Sequence, residues 1–150
     1  MNDINYEEII NNIETSIVNS QKIHNDIITK LSHRLNCELK DAIQLESEAV
    51  SYRQTLLDER SKFLFKIYKE MIKIKKLRKT QFEYYASKYQ IKTNSSEKTR
   101  LVDADLADIE GIVEFLDGHV NFLNDSMVSL TNIIWGVKNK IGIHNILGEE

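Results

Sequence analysis

The strongest constraint on this chain is an apolar stripe that repeats every seven residues in its last third. From Leu106 to Ile141, apolar residues follow one another at alternating spacings of three and four, which is the pattern of an α-helix packed on another helix. A strict seven-residue repeat favours a left-handed supercoil with a partner helix. The residues are Leu106, Ile109, Val113, Leu116, Val120, Leu123, Met127, Leu130, Ile134, Val137 and Ile141.

Further apolar residues widen this stripe beyond one seam. Ile112, Phe115, Phe122 and Ile133 lie beside it, so the helix is expected to be buried on more than one side. Because few helices in one chain can cover such a surface, the sequence predicts a homo-oligomer. The residues predicted to mediate oligomerisation are Leu116, Val120, Leu123, Met127, Leu130, Ile134, Val137 and Ile141.

The rest of the chain also favours long helices. The 150 residues include no proline, and all five glycines lie beyond residue 110. Asn5 and Glu8 have the spacing of a capping pair for a first helix, which is predicted to run toward Asn36. A second helix is predicted from Leu39 to about Tyr85. The predicted fold class is all-α, with long amphipathic helices forming a coiled-coil-like oligomer.

A change in composition divides the chain. Between residues 88 and 100 the sequence turns to Lys, Thr, Asn, Ser and Glu, which is typical of a loop. Asp103 and Asp105 are candidates for the N-cap of the helix that follows. The predicted organisation has N-terminal helices at 1–92 with a basic segment at about 60–92, a polar loop at 93–102, and a C-terminal heptad helix at 103–150.

The net charge of −3 hides a strong segregation of charge. Residues 60–100 hold 13 Lys and Arg against 3 acids, a net of +10. Residues 1–59 hold 11 acids and 5 bases, and residues 101–150 hold 9 acids and 2 bases. A basic centre between acidic arms indicates either a polyanionic partner or self-association between oppositely charged regions.

Several functional classes lack support in the sequence. The amino terminus carries acids where a signal peptide has lysines, and the longest apolar uncharged stretch, 126–137, has 12 residues against the roughly 20 of a membrane span. A cytoplasmic protein is therefore expected. The chain contains no glycine-rich phosphate loop, and its four histidines lack metal-binding spacing. We expect no cofactor, no metal and no enzymatic activity.

Basic and aromatic residues interleave in residues 73–92. Lysine and arginine neutralise phosphates, while Phe82, Tyr84, Tyr85 and Tyr89 can stack on exposed bases, a combination that suits single-stranded nucleic acid. The alternative is a solvated lysine face with tyrosines packed against a neighbouring subunit. Membrane binding is less favoured, because anionic lipid repels the acidic arms. The nucleic-acid-binding candidates are Lys73, Lys76, Arg78, Lys79, Tyr84, Tyr85, Lys88 and Lys92.

Three segments also resemble a known family. KTQFEYYASK at 79–88, LVDAD at 101–105 and VKNKIGIHNIL at 137–147 are similar to the UvsY-type recombination mediators of tailed bacteriophages, with similarity over about residues 70–147. That family associates a Lys-x-Arg-x-x-Tyr-Tyr pattern with single-stranded DNA binding and its closing segment with oligomerisation. Lys79, Tyr84 and Tyr85 match the pattern, whereas Gln81 replaces the arginine and Ser87 stands where glycine is common.

The resemblance implies a role in DNA recombination, repair and replication. Such mediators are non-enzymatic, ring-like homo-oligomers that help a RecA-like recombinase displace single-strand binding protein from DNA. The implied partners are single-stranded DNA, the recombinase and single-strand binding protein, in the cytoplasm of a bacterial host. The competing hypothesis is a coiled-coil structural, adaptor or assembly protein without affinity for nucleic acid.

Overall fold

The computed structural model describes residues 6–148, and this range consists of helices without any strand. Helix α1 spans Tyr6–His33, α2 spans Leu39–Ser87 and α3 spans Ser95–Leu147, with a short 3-10 turn at Arg34–Asn36. The all-α prediction is confirmed. No helix of the described range is long and apolar enough to cross a membrane.

The end of α1 comes slightly earlier than its apolar pattern predicts. The α-helix ends at His33, and the chain tightens into the 3-10 turn before α2. The N–H of Cys37 donates to the carbonyl of Arg34 at 3.0 Å, and Cys37 itself has extended backbone, which ends the turn. The predicted capping residue Asn5 lies outside the described residues.

Helix α3 begins earlier than the sequence predicted, so the prediction of a loop at 93–102 is wrong from residue 95 onward. The N–H of Glu97 donates to Asn94 Oδ1 at 2.8 Å, and the N–H of Asn94 donates to Glu97 Oε2 at 2.8 Å. These reciprocal bonds satisfy backbone groups that a helix amino terminus otherwise leaves open. Residues 95–102 are therefore helical, and Asp103 and Asp105 lie inside α3 rather than at its cap.

The described chain divides into two compact units, and the first comprises Met1–Ser16 and Phe63–Gly118. Its core contains Val102, Leu106 and Ile109 of α3, which are almost fully buried. Half-buried side chains of the other two helices pack against them, namely Tyr6, Ile74, Leu77 and Tyr85. The basic half of α2 belongs to this unit and is held in place through its apolar face.

The second unit comprises Ile17–Lys62 and His119–Glu150. Ala42 and Ala49 of α2 are fully buried and lie seven residues apart, so small side chains allow neighbouring helices to approach closely at two successive levels. All three helices contribute to this core. Its buried apolar residues are Ile17, Leu31, Ala42, Leu45, Ala49, Leu56, Val120, Leu123, Leu130, Ile133 and Val137.

A buried polar cluster lies within the second unit. His24 Nε2 is 2.9 Å from Glu59 Oε2, and His119 Nε2 is 3.6 Å from Glu59 Oε1. The Ser20 hydroxyl donates to Glu59 Oε1 at 3.1 Å, and His24 Nδ1 bonds the Tyr52 hydroxyl. Burial, together with the charge of Glu59, raises the pKa of Tyr52 to about 12. One carboxylate of α2 thus fixes an imidazole from each of the other helices.

The single chain buries most of its own heptad stripe. Five of the residues predicted for oligomerisation are at most 5% exposed, namely Leu116, Val120, Leu123, Leu130 and Val137. Met127, Ile134 and Ile141 are half-buried. The five buried residues therefore need no second chain to cover them, because α1 and α2 of the same chain provide apolar partners. The assignment of this stripe to oligomerisation stays a prediction.

Candidate nucleic-acid interface

A row of exposed lysines runs along α2 in the first unit. Ile67 is buried and Ile74 is half-buried on the face that packs inward, and the lysines occupy the remaining positions. Their side chains reach solvent at spacings of one to four residues, so cations follow one another every few ångströms along the helix axis. The exposed lysines of this helix half are Lys66, Lys69, Lys73, Lys75, Lys76 and Lys79.

The contacts of these lysines are local and weak. Lys73 Nζ lies 2.6 Å from Glu70 Oε1, and Lys79 Nζ lies 4.0 Å from Glu83 Oε1 one turn away. Ion pairs between exposed side chains on one helix are worth about 0.2–1 kcal/mol and are screened by salt. The lysine row therefore remains available to a phosphate backbone at little energetic expense.

Arg78 differs from these lysines because it bonds to α3. Its Nη1 donates to Asp103 Oδ1 at 2.5 Å, and its Nη2 donates to Glu110 Oε1 at 2.7 Å. The hydrogen bond to Asp103, followed by the one to Glu110, raises the pKa of Arg78 above its usual value. A phosphate can engage this guanidinium only by displacing two carboxylates of the same chain.

The tyrosines near the end of α2 form an edge-to-face cluster. The ring centroids of Tyr84 and Tyr85 are 5.2 Å apart, and those of Tyr85 and Tyr89 are 5.0 Å apart. Pairs in this geometry stabilise one another and hold the rings in fixed orientations. Tyr84 is 44% exposed and presents its ring to solvent beside the lysine row.

Tyr85 differs from Tyr84 because it is part of the packing of the first unit. Its ring packs against the core formed by Val102, Leu106 and Ile109. Its hydroxyl donates to Asp105 Oδ2 at 2.8 Å, and this bond is the main reason that its pKa is raised to about 12. The two adjacent tyrosines therefore differ in environment, and only Tyr84 of this pair has an exposed ring.

The last two basic candidates extend past the end of α2. Lys88 and Lys92 are exposed in the connection to α3. The N–H of Lys88 donates to the carbonyl of Tyr84 at 2.8 Å, which keeps this lysine next to the tyrosine cluster. The basic surface thus continues around the exposed tyrosine.

Two aromatic residues were absent from the sequence-based candidates. Phe65 and Tyr68 are both exposed on α2, and Lys69 Nζ lies 4.6 Å from the centroid of the Phe65 ring. Their exposure could have been predicted from the sequence, because neither residue lies on the helix face that carries the buried Ile67 and the half-buried Ile74. They place exposed aromatic rings at the amino-terminal end of the lysine row.

Comparison of the chain with protein-family models, curated proteins and solved structures finds no match. Within residues 6–148, no group of three or more His, Cys, Asp or Glu side chains is arranged to hold a metal ion. The similarity to UvsY-type mediators consequently rests on the three segments quoted above.

Proposed function

We propose that the protein is a recombination mediator that binds single-stranded DNA as a homo-oligomer and assists the loading of a RecA-like recombinase onto DNA coated with single-strand binding protein. One observation carries the DNA-binding part: the exposed lysines of α2 lie on one helix half with the exposed ring of Tyr84. The similarity of residues 79–88 to the family pattern supports the mediator part.

The arrangement suits a single strand for two physical reasons. The lysines from Lys66 to Lys79 are spaced by one to four residues, so on average a cation occurs about every 4 Å along the helix axis, which allows several phosphates to be neutralised together. An aromatic ring stacks on any base, so affinity is expected to depend little on DNA sequence. Stacking also requires bases that are not already paired, which favours a single strand over a duplex.

A coiled-coil adaptor or assembly protein without affinity for nucleic acid is the second candidate. The ion pairs of Arg78 with Asp103 and Glu110 favour it, because they satisfy part of the basic segment within the chain. The six exposed lysines between Lys66 and Lys79 argue against it, since in the described contacts only Lys73 and Lys79 of these six face an acid, and each does so on its own helix.

A charge-neutralising variant separates the two candidates. Replacing Lys73→Gln and Lys76→Gln together should weaken binding to a fluorescent oligothymidylate several-fold. The slope of log K against log salt should also become shallower by about 1.4, which corresponds to two phosphate contacts. The matched control is Lys22→Gln with Lys30→Gln, two exposed lysines of α1. Equal losses in both double variants would favour non-specific attraction and contradict a site on α2.

The mediator step needs a separate measurement. The DNA-dependent ATPase rate of a RecA-like recombinase is followed on single-stranded DNA coated with single-strand binding protein. Addition of the protein should shorten the lag before steady hydrolysis, and the variant with Lys73→Gln and Lys76→Gln should shorten it less. An unchanged lag with a wild-type protein that binds DNA would restrict the function to DNA binding.

A further inference from the structure

Two exposed aromatic rings lie at opposite ends of the basic half of α2. Phe65 is 58% exposed at one end, and Tyr84 is 44% exposed at the other. Tyr84 follows Phe65 by 19 residues, which corresponds to about 28 Å along the helix axis. Both residues belong to one uninterrupted helix, so the backbone fixes this distance. A ligand that contacts both rings must therefore be elongated and lie along the helix.

Exposed lysines connect the two rings on one side of α2. The connecting residues follow one another at spacings of three and four, which at about 100° per residue keeps them within about 100° of the helix circumference. We call this set the Phe65 face, and all of its members are exposed. It consists of Phe65, Lys69, Lys73, Lys76, Thr80 and Tyr84. Cations thus lie between the two rings on the same side of the helix.

Each ring of the Phe65 face has a lysine beside it. Lys69 Nζ lies 4.6 Å from the ring centroid of Phe65, a distance at which the ring attracts the cation. At the other end, the backbone bond from Lys88 to Tyr84 keeps Lys88 next to the tyrosine cluster. A base stacked on either ring therefore has a cation within reach of its own phosphate. This combination suits a nucleotide better than it suits a purely apolar partner.

The neighbouring side of α2 is less suited to a polyanion. Tyr68 is as exposed as Phe65, at 61%, but three residues along a helix turn it about 60° out of the Phe65 face. On the side of Tyr68, Met71 lines a cleft together with Glu110 and Glu114 of α3. Carboxylates repel the phosphates of a nucleic acid. A strand bound to α2 is therefore expected to follow the Phe65 face and to leave Tyr68 aside.

We propose that Phe65 is a second base-stacking site and that a single strand lies along the Phe65 face from Tyr84 to Phe65. The lysines between the two rings neutralise the phosphates between the two stacked bases. This inference rests on the proposed function and assigns the length of strand that one chain binds. Stacked nucleotides are about 3.4 Å apart, so the strand between the rings has about eight nucleotide steps, and an extended strand has fewer.

The length of the oligonucleotide provides the first test. Fluorescence anisotropy measures the binding of oligothymidylates of 12 and 4 nucleotides to the wild type, to Phe65→Ala and to the matched control Tyr68→Ala. The longer strand reaches both rings, so Phe65→Ala should weaken its binding at least about fivefold, the lower end of the loss per stacked base. The shorter strand cannot span both rings and keeps the Tyr84 end, so its affinity should change much less.

Tyr68→Ala should match the wild type at both lengths, because its ring lies outside the Phe65 face. Equal losses from Phe65→Ala and Tyr68→Ala on the longer strand would overturn the assignment of Phe65. Equal losses from Phe65→Ala on the two strands would overturn the arrangement in which one strand spans both rings.

The chemistry of the side chain at position 65 provides the second test. Phe65→Trp keeps an aromatic ring and should bind the longer strand at least as tightly as the wild type. Phe65→Leu keeps an apolar side chain without an aromatic face and should bind as weakly as Phe65→Ala. The slope of log K against log salt should stay the same in all of them, because stacking releases no counterions. Wild-type affinity in Phe65→Leu would indicate a purely apolar contact and overturn stacking.

Particle mass and DNA binding together separate this inference from the proposed function. The Phe65 variants should keep the wild-type mass in sedimentation equilibrium, and a changed mass would assign Phe65 to a contact between protein chains and overturn the inference. A wild type that binds DNA, with Phe65→Ala equal to Tyr68→Ala, would overturn the inference and leave the proposed function intact. No binding of either strand by the wild type at 50 mM salt would overturn the proposed function itself.

Discussion

The guanidinium of Arg78 on α2 lies 2.7 Å from the carboxylate of Glu110, 32 residues further along the chain on α3. The opposite charges of the central segment and the carboxyl-terminal arm therefore meet within one chain at this point, on its partly exposed surface. Asp103 adds a second carboxylate to the same guanidinium. Any nucleic acid that uses Arg78 competes with these acids, whereas the exposed lysines of α2 face no competitor of this kind among the described contacts.

Removing the acids that hold Arg78 should strengthen DNA binding. The double variant Asp103→Asn, Glu110→Gln frees the guanidinium for a phosphate, so affinity for single-stranded DNA should rise several-fold and the salt slope should steepen by about 0.7. Fluorescence anisotropy measures both quantities. The control is Glu114→Gln, which removes one exposed acid of α3 a turn further on. Unchanged affinity in the double variant would mean that Arg78 does not contact DNA.

The two adjacent tyrosines should respond differently to truncation. Tyr84→Ala removes an exposed ring, so it should lower affinity for single-stranded DNA by about 1–3 kcal/mol and lower stability less than Tyr85→Ala does, because only its edge-to-face contacts are lost. Tyr85→Ala removes a ring packed on the core of the first unit and should lower the free energy of unfolding by about 2 kcal/mol. Each variant serves as the control for the other. A stability loss of similar size in both would assign Tyr84 to packing.

Protonation of the Glu48 carboxylate should lower the stability of the folded protein in acid. Arg34 bonds its carboxylate through Nη1 and Nη2, Gln44 donates to it at 2.9 Å, and the bond from Arg34 is the main reason that the pKa of Glu48 lies below its ordinary value of 4.5. The folded state therefore binds this proton less tightly than the unfolded state. The resulting stability is present above pH 4.5 and is lost as the pH falls through the lower folded-state pKa.

Chemical unfolding at a series of pH values measures this effect. Glu48→Gln should reduce the dependence of the unfolding free energy on pH below 4.5, because the titrating carboxylate is gone. Glu38→Gln, which removes a more exposed acid near the start of α2, should leave more of the dependence in place. If Glu48→Gln and the wild type lose stability in parallel as the pH falls, Glu48 is not an acid-sensitive group.

The cap of α3 should contribute measurably to stability. Asn94→Ala removes the side-chain acceptor for the N–H of Glu97 and should lower the free energy of unfolding by about 1 kcal/mol. Ser96→Ala lies two residues further on, is exposed, and provides the control. Urea unfolding followed by circular dichroism distinguishes the two. An Asn94→Ala variant as stable as this control would show that the first turn of α3 does not depend on its cap.

Apolar periodicity was sufficient to predict an all-α fold and the near-continuous course of α2, because each depends on local spacing. The start of α3 was missed although Asn94 and Glu97 have capping spacing, since polar composition alone suggested a loop. The covering of the heptad stripe followed from tertiary structure, because spacings of three and four do not tell whether the neighbouring helix belongs to the same chain. The partners of Arg78 depend on the register between α2 and α3, which no local pattern encodes.

The salt dependence of single-stranded DNA binding by the wild-type protein tests the central claim most directly. Neutralisation of about four phosphates by the α2 lysines predicts that affinity for an oligothymidylate falls about 50-fold between 50 and 200 mM salt. A duplex of the same length should bind more weakly at both salt concentrations. No binding at 50 mM salt, an affinity that does not change with salt, or a preference for the duplex would contradict a single-stranded DNA interface on α2.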